Sequence, residues 1–265
     1  MKTILLAGFG AMGQSIFDQL KNDPRIGRWL VLERAERADD ARSKLGGHGQ
    51  VVLSVDGLET RPDFAVECAG HEVLGTLVPR LLEQGIDTIV ASVGALALPG
   101  MIERLDAACQ AGQAQLTLVP GALAGVDALA AARDSGLASV DYTGRKPPGS
   151  WRGTAAARLC DLDHLAEATV FFEGTAREAA ATFPQNANVA AMVGLAGMGL
   201  DHTRVRLIAD PAAGGNTHTI SARGAFGRME VMVEAAAFAA NPKTSALAGM
   251  SIVRAVRNRL NAIVI

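Results

Sequence analysis

Thr3-Ile4-Leu5-Leu6-Ala7-Gly8-Phe9-Gly10-Ala11-Met12-Gly13 runs from an apolar, strand-like segment into three spaced glycines, and residues 12–21 behind it have the pattern of a helix. A G-x-G-x-x-G string alone says little. Set between a strand and a helix it is a dinucleotide-binding fingerprint with a mechanism. Gly8 permits the tight turn, Gly10 lets the backbone approach a pyrophosphate, and Gly13 lets helix and strand pack closely. Ala11 and Met12 belong to the helix N-terminus, whose free N–H groups and partial positive charge suit phosphates.

Working outward, residues 1–120 alternate strand-like and helix-like segments. Strands are predicted at 3–7, 29–33, 51–55, 64–68, 88–92 and 115–119, with helices at 12–21, 72–83 and 99–111. Short continuous apolar runs alternating with helices predict an α/β, doubly wound (Rossmann-type) parallel sheet covered on both faces. Ligands of such sheets bind beyond the carboxyl ends of the strands. Those ends read Gly8–Gly13, Glu33-Arg34, Cys68-Ala69-Gly70-His71, Ser92-Val93-Gly94-Ala95 and Pro120-Gly121-Ala122. Small residues recur there, as close approach of backbone to a long flat cofactor requires, so Ala69 and Gly70 join the candidate cofactor contacts.

Glu33 stands twenty residues after Gly13. An acidic residue at that place hydrogen-bonds the adenosine ribose of NAD and repels a 2′-phosphate. Arg34 and Arg37 follow, and a guanidinium there accepts the 2′-phosphate of NADP instead. NAD is the expected cofactor, with NADP the alternative. A diffusible nicotinamide fits the pattern of strand ends better than FAD.

After Gly121 the pattern changes. A helix is predicted at 122–134, strands at 138–143 and 168–173, a helix at 188–196, and three closely spaced strands at 204–209, 217–222 and 228–236. Successive strands with short connections predict a second, α+β domain with a mixed or antiparallel sheet. Residues 244–260 read as an amphipathic helix. The expected division is a dinucleotide-binding domain at 1–120, with 243–265 packing back on it, and a substrate and dimerisation domain at 121–242.

The formal net charge of −2 in 265 residues gives no electrostatic case for nucleic acid or a membrane surface. No apolar run approaches the ~20 residues of a membrane span. The first strand begins too early to leave the roughly 15–30 residues of a signal peptide, so a cytoplasmic protein is expected. Cys68, Cys109 and Cys160 are far apart, without ligand spacing, so reduced thiols and no metal site are expected.

A nicotinamide enzyme needs a proton-handling group beside the reacting carbon, and histidine titrates near working pH. Of five histidines, His48 reads as a turn, His164 as part of a solvated helix and His202 as the approach to a strand. His71 ends a strand near the expected cofactor. His218 shares one face of an extended strand with Asn216 and Ile220, which fits either a structural or a catalytic role. Asn188 fits a helix N-cap with Asn186 just outside; alternatively one of these amides meets the nicotinamide or the substrate. Asn241-Pro242-Lys243-Thr244-Ser245 reads as a helix start, and Lys243 is a candidate for a substrate carboxylate. Arg145-Lys146-Pro147-Pro148 is a basic turn whose Arg145 and Lys146 are candidates for the same task.

Together Gly8–Gly13, Pro120-Gly121-Ala122, Arg145-Lys146-Pro147-Pro148, Asn186-Ala187-Asn188-Val189-Ala190-Ala191, Asp210-Pro211, Asn216-Thr217-His218 and Asn241-Pro242-Lys243-Thr244-Ser245 resemble the L-aspartate dehydrogenase family, in its order along the chain. The resemblance implies a homodimer that oxidises L-aspartate to iminoaspartate with NAD(P). The imine then hydrolyses to oxaloacetate and ammonia or feeds NAD biosynthesis. It also implies that His218 is catalytic and that Ala122 and Asn188 contact the cofactor. Two other readings stand beside it. One is a cyclic-imine reductase like dihydrodipicolinate reductase, whose basic, His-rich substrate segment is not matched here. The other is a non-catalytic NAD-binding regulator, which has no need of the second domain's polar residues.

Overall fold

The computed structural model describes residues 1–265 apart from Gly57, Gln185, Asn186, Ala239 and Ala240, and apart from the side chains of 237, 238 and 241–244. The chain divides into two compact units. The first is Met1–Ala95, Pro99–Val119 and Gly249–Ile265; the second is Leu96–Leu98 and Pro120–Ala248.

The first unit runs β1 (Lys2–Ala7), α1 (Ala11–Leu20), β2 (Ile26–Leu32), α2 (Ala38–Leu45), β3 (Gly49–Val52), β4 (Phe64–Glu67), α3 (His71–Glu83), β5 (Thr88–Val90), α4 (Met101–Gly112) and β6 (Leu116–Leu118). All pairings are parallel, in the order β3-β2-β1-β4-β5-β6. This is the Rossmann arrangement, with its topological switch between β1 and β4. Alternate residues of β1 enter two cores. Ile4 and Leu6 pack with Ile16, Phe17, Trp29 and Val31 on one face, while Leu5 and Ala7 pack with Leu30, Ala65, Leu77 and Leu81 on the other. The third strand ends at Val52 rather than residue 55, although Val55 remains buried in the core.

The second unit runs α5 (Val126–Arg133), β7 (Leu137–Lys146), β8 (Thr169–Thr175), α6 (Ala176–Thr182), α7 (Ala187–Ala196), β9 (Arg204–Ala209), β10 (Asn216–Gly224), β11 (Gly227–Ala235), β12 (Ala237–Phe238) and β13 (Asn241–Ser245). Its main sheet is mixed, in the order β11-β10-β7-β9-β8, with β7 and β9 parallel. The three successive strands of the sequence reading are therefore not three neighbours: β7 lies between β9 and β10. Along β7 the buried residues are Val140, Tyr142, Gly144 and Lys146, and along β10 they are Asn216, His218, Ile220 and Ala222. One face of the sheet is covered and the other is wetter.

Boundaries in the C-terminal half differ from expectation as well. The helix expected from residue 122 begins at Val126, because Gly125 at its cap position takes a left-handed conformation, φ +69°. Residues 241–245 form β13, paired antiparallel with β12, rather than a helix start. The final helix, α8 (Ala246–Leu260), begins only after Ser245, whose Oγ accepts a hydrogen bond from the Leu247 N–H at 3.1 Å. His164 lies in an exposed turn beside Asp161, not on a helix.

Candidate active site

In the first unit the glycine loop meets the ends of β2 and β4. Gly8 has φ +94°, and a Cβ on it would lie 2.8 Å from Ala69. A Cβ on Gly13 would lie 2.1 Å from the Gly8 carbonyl oxygen, so helix and strand pack at a distance only glycine allows. Gly10, the cap residue of α1, is different: a Cβ there would meet no protein atom within 4 Å. The fold does not need Gly10, which leaves the requirement to something that approaches the loop from outside. Ala11 and Met12 open α1, and the helix has no acidic residue in its first turn and no side-chain cap. A pyrophosphate fits these donors.

Two carboxylates organise this edge. Glu33, 8% exposed, accepts hydrogen bonds from the N–H of Phe9 at 3.0 Å and of Arg34 at 3.0 Å. It thereby ties the end of β2 to the glycine loop. Arg37 Nη1 lies 3.7 Å from Glu33, while the Arg34 side chain is exposed. Glu67 is fully buried and accepts from the N–H of Ala69 at 2.8 Å, the N–H of Gly70 at 2.9 Å, the Ser92 hydroxyl at 2.8 Å and the Ser92 N–H at 3.2 Å. Four donors on one carboxylate satisfy a group that would otherwise be costly to bury. They also set the Ala69-Gly70 turn. Sequence reasoning passed over Glu67; the available signal was an acid inside the apolar run Phe64-Ala65-Val66-Glu67-Cys68. His71 is the half-buried first residue of α3.

In the second unit the pairing of β7 with β10 places Arg145 opposite Thr217, Gly144 opposite His218 and Tyr142 opposite Ile220, so by the alternation of the pleat Lys146 and Asn216 share the face of His218. Lys146, Asn216, His218 and Tyr142 are 8%, 8%, 3% and 3% exposed. Tyr142 Oη lies 2.8 Å from His218 Nδ1, with the two rings nearly parallel. A Cβ at Gly144 would lie 2.7 Å from that hydroxyl, so a glycine there leaves the space it occupies. Lys146 Nζ sits 5.0 Å from the centre of the Trp151 ring. Burial lowers Lys146 to about 8. Burial and then the nearby Lys146 charge hold the His218 imidazole at about 4.

Arg145 is not brought to this face. One residue along the strand it turns the opposite way, where Nη1 pairs with Asp210 Oδ2 at 2.9 Å. Asn188 is the exposed second residue of α7 rather than the residue capping it, and Asn186 lies outside the described residues. Ala122 is buried in the turn before α5. Lys243 is in β13, and its side chain lies outside the described residues. Tyr142 was missed by sequence reasoning. Its signal was that it is the chain's single tyrosine, four residues before Lys146 in an extended segment. Among the described residues no group of three His, Cys, Asp or Glu side chains is placed to hold a metal. No helix among them is long and apolar enough to cross a membrane.

Comparison with known proteins matches most of the chain to two family models. Residues 127–259 match the family model described as aspartate dehydrogenase, C-terminal, and residues 8–119 match that of homoserine dehydrogenase, NAD binding domain. The chain is 50% identical over 266 residues to an L-aspartate dehydrogenase of Cupriavidus necator and 48% identical over 265 residues to one of Pseudomonas aeruginosa, covering 99% of both chains each time. Among solved structures it is similar to aspartate dehydrogenase from Thermotoga maritima, with TM-score 0.79 and 26% identity, covering 100% of this chain and 99% of that one.

Proposed function

We propose, because this chain belongs to the L-aspartate dehydrogenase family, that it oxidises L-aspartate to iminoaspartate with NAD, with His218 as its catalytic residue. Bound NAD supplies the hydride acceptor for the α-carbon of the substrate. The chain's own residues do the rest. The glycine loop and α1 N-terminus hold the pyrophosphate, and the Ala69-Gly70 turn, set by Glu67, lies beside it. Ala122 and Asn188 complete the cofactor contacts.

NAD is preferred to NADP because Glu33 stands at the end of β2, tied to the loop, where its charge opposes a 2′-phosphate. Arg37 is drawn toward that carboxylate. Lys146 holds a carboxylate of the substrate: it is a buried cation on the same face as His218. Arg145, engaged by Asp210 on the other face, does not. His218 meets the group on the α-carbon as the amine becomes an imine and water adds. The resulting carbinolamine expels ammonia to leave oxaloacetate.

The observation that carries this reading is the pairing of one buried, neutral imidazole with one buried cation on a single sheet face. A dicarboxylate amino acid needs both. The chain works as a cytoplasmic homodimer. The test is turnover with a panel of amino acids, followed by NADH absorbance. Activity with L-aspartate and its loss in His218→Asn, with NAD affinity retained, is the expected result. Binding of NADH with no turnover of any amino acid makes the protein a regulator instead.

A further inference from the structure

We propose that Tyr142 is a positioning residue: its hydroxyl donates to Nδ1 of His218 and holds the neutral imidazole as the Nε2–H tautomer. His218 then meets the substrate as a hydrogen-bond donor and not as a base. This deepens the assignment of His218 and rests on it for the substrate, but not for the tautomer.

Tyr142 and His218 are both 3% exposed, and Oη and Nδ1 are 2.8 Å apart. Among the described residues Nδ1 is the hydrogen-bond partner of this hydroxyl. A phenol carries one hydrogen, and a neutral imidazole carries one hydrogen on either nitrogen. If Nδ1 held it, the hydroxyl would accept, and its own hydrogen would be buried without an acceptor. If the hydroxyl donates, both groups are satisfied and Nε2 carries the hydrogen. Burial raises the phenol above its ordinary range, so it remains a donor through neutral and alkaline pH.

The surroundings oppose the alternative in which His218 becomes charged. An imidazolium would present a second N–H to the hydroxyl. On β7 the group facing His218 besides Tyr142 is Lys146, a cation. On the far side β11 places Val231 and Val233 on this face, and beyond β7 the residues of β9 are Val205 and Leu207. α7 carries no titratable side chain, and Asp127 and Arg133 of α5 are exposed. Arg145 and Asp210 pair on the other face. Among the described residues these elements bring no acidic side chain to His218 to stabilise a charged ring.

With a donor at Nε2 and no lone pair there, His218 does not take the proton from the substrate ammonium. L-Aspartate must react as its free amine, the ammonium proton going to solvent before hydride leaves. The Nε2–H then stabilises the alkoxide left when the carbinolamine hydroxyl gives its proton to solvent, before that oxygen's electron pair forms the carbonyl and the C–N bond breaks to release the protonated nitrogen as ammonia, in the way a neutral imidazole polarises a carbonyl elsewhere.

Two measurements test this. The first is the imidazole tautomer by long-range 1H–15N correlation at neutral pH, in the free protein. His218 is expected as Nε2–H; finding Nδ1–H overturns the proposal, whatever the substrate proves to be. The second is Tyr142→Phe. It is expected to lower kcat/KM for L-aspartate roughly tenfold, the size of one hydrogen bond. It also shifts the acid limb of the profile to higher pH, with the Kd for NAD unchanged. Loss of activity with neither the limb nor the tautomer moved makes Tyr142 a packing residue and sinks the idea. Should Tyr142→Phe fail to fold, the wild-type tautomer still decides.

Discussion

Lys146 and His218 are buried against their preference for water, and their energetics follow from that. Burial lowers Lys146 from 10.5 to about 8. The unfolded chain therefore binds this proton more tightly, and stability increases as pH rises from about 8 toward the unfolded value. Below about 8 the whole penalty is present, on the order of 3 kcal/mol. Lys146→Met is expected to raise the unfolding free energy at pH 7 by up to about that amount. It should also weaken inhibition by succinate, which has the two carboxylates and no amine to titrate. In the wild type the inhibition constant of succinate should rise above about pH 8, as the ammonium is lost. A flat profile would remove Lys146 from the substrate site. His218 has the same sign in another window: its folded value of about 4 lies below 6.5, so stability falls as pH drops from about 6.5 to 4. At this scale the sequence named His218 and Lys146 as candidates but could not separate Lys146 from Arg145. The pleat separates them, and the pleat needs a register. Tyr142 was legible only as an unusual residue, because its partner is 76 positions away.

The glycine fingerprint is an element whose parts answer to different forces. Gly13 is demanded by the fold, since its Cβ would strike the Gly8 carbonyl at 2.1 Å, whereas a Cβ at Gly10 touches nothing. Gly13→Ala is expected to lower Tm and nucleotide binding together. Gly10→Ala is expected to leave Tm unchanged while the Kd for NAD rises at least roughly tenfold. A fall of Tm in Gly10→Ala equal to that in Gly13→Ala would show the loop to be purely structural. The strand–loop–helix order around this motif was legible because local propensity and the ligand's needs agree there. Residues 241–245 were not legible in the same way. Asn-Pro-Lys-Thr-Ser has the composition of a helix start, and only the backbone pairing of β13 with β12 makes it a strand, leaving Ser245 to cap α8.

At the scale of the whole molecule, the end of the chain completes its beginning. Ile252, Val253 and Val256 of α8 enter the core that holds Ile4, Leu6, Phe9 and Phe17. Arg259 bonds Asp87 at 2.8 Å, Gln115 at 2.9 Å and Thr117 at 3.2 Å. Removing residues 249–265 is expected to abolish cooperative unfolding of the first unit and NAD binding, although the glycine loop lies over 200 residues away. A truncated protein that still binds NAD with native affinity would refute this. By itself the sequence determined the doubly wound sheet and the mixed second sheet, and it named the glycine edge and His218 as candidates. Each of these is written in periodicity, turn chemistry or a contiguous motif. Only the tertiary structure decided that Glu67 sets the Ala69-Gly70 turn, that Lys146 rather than Arg145 shares the face of His218, and that the Tyr142 hydroxyl meets His218 Nδ1. Those choices depend on strand register and burial, where residues distant along the chain exclude water from one another, and no local pattern encodes which of them meet.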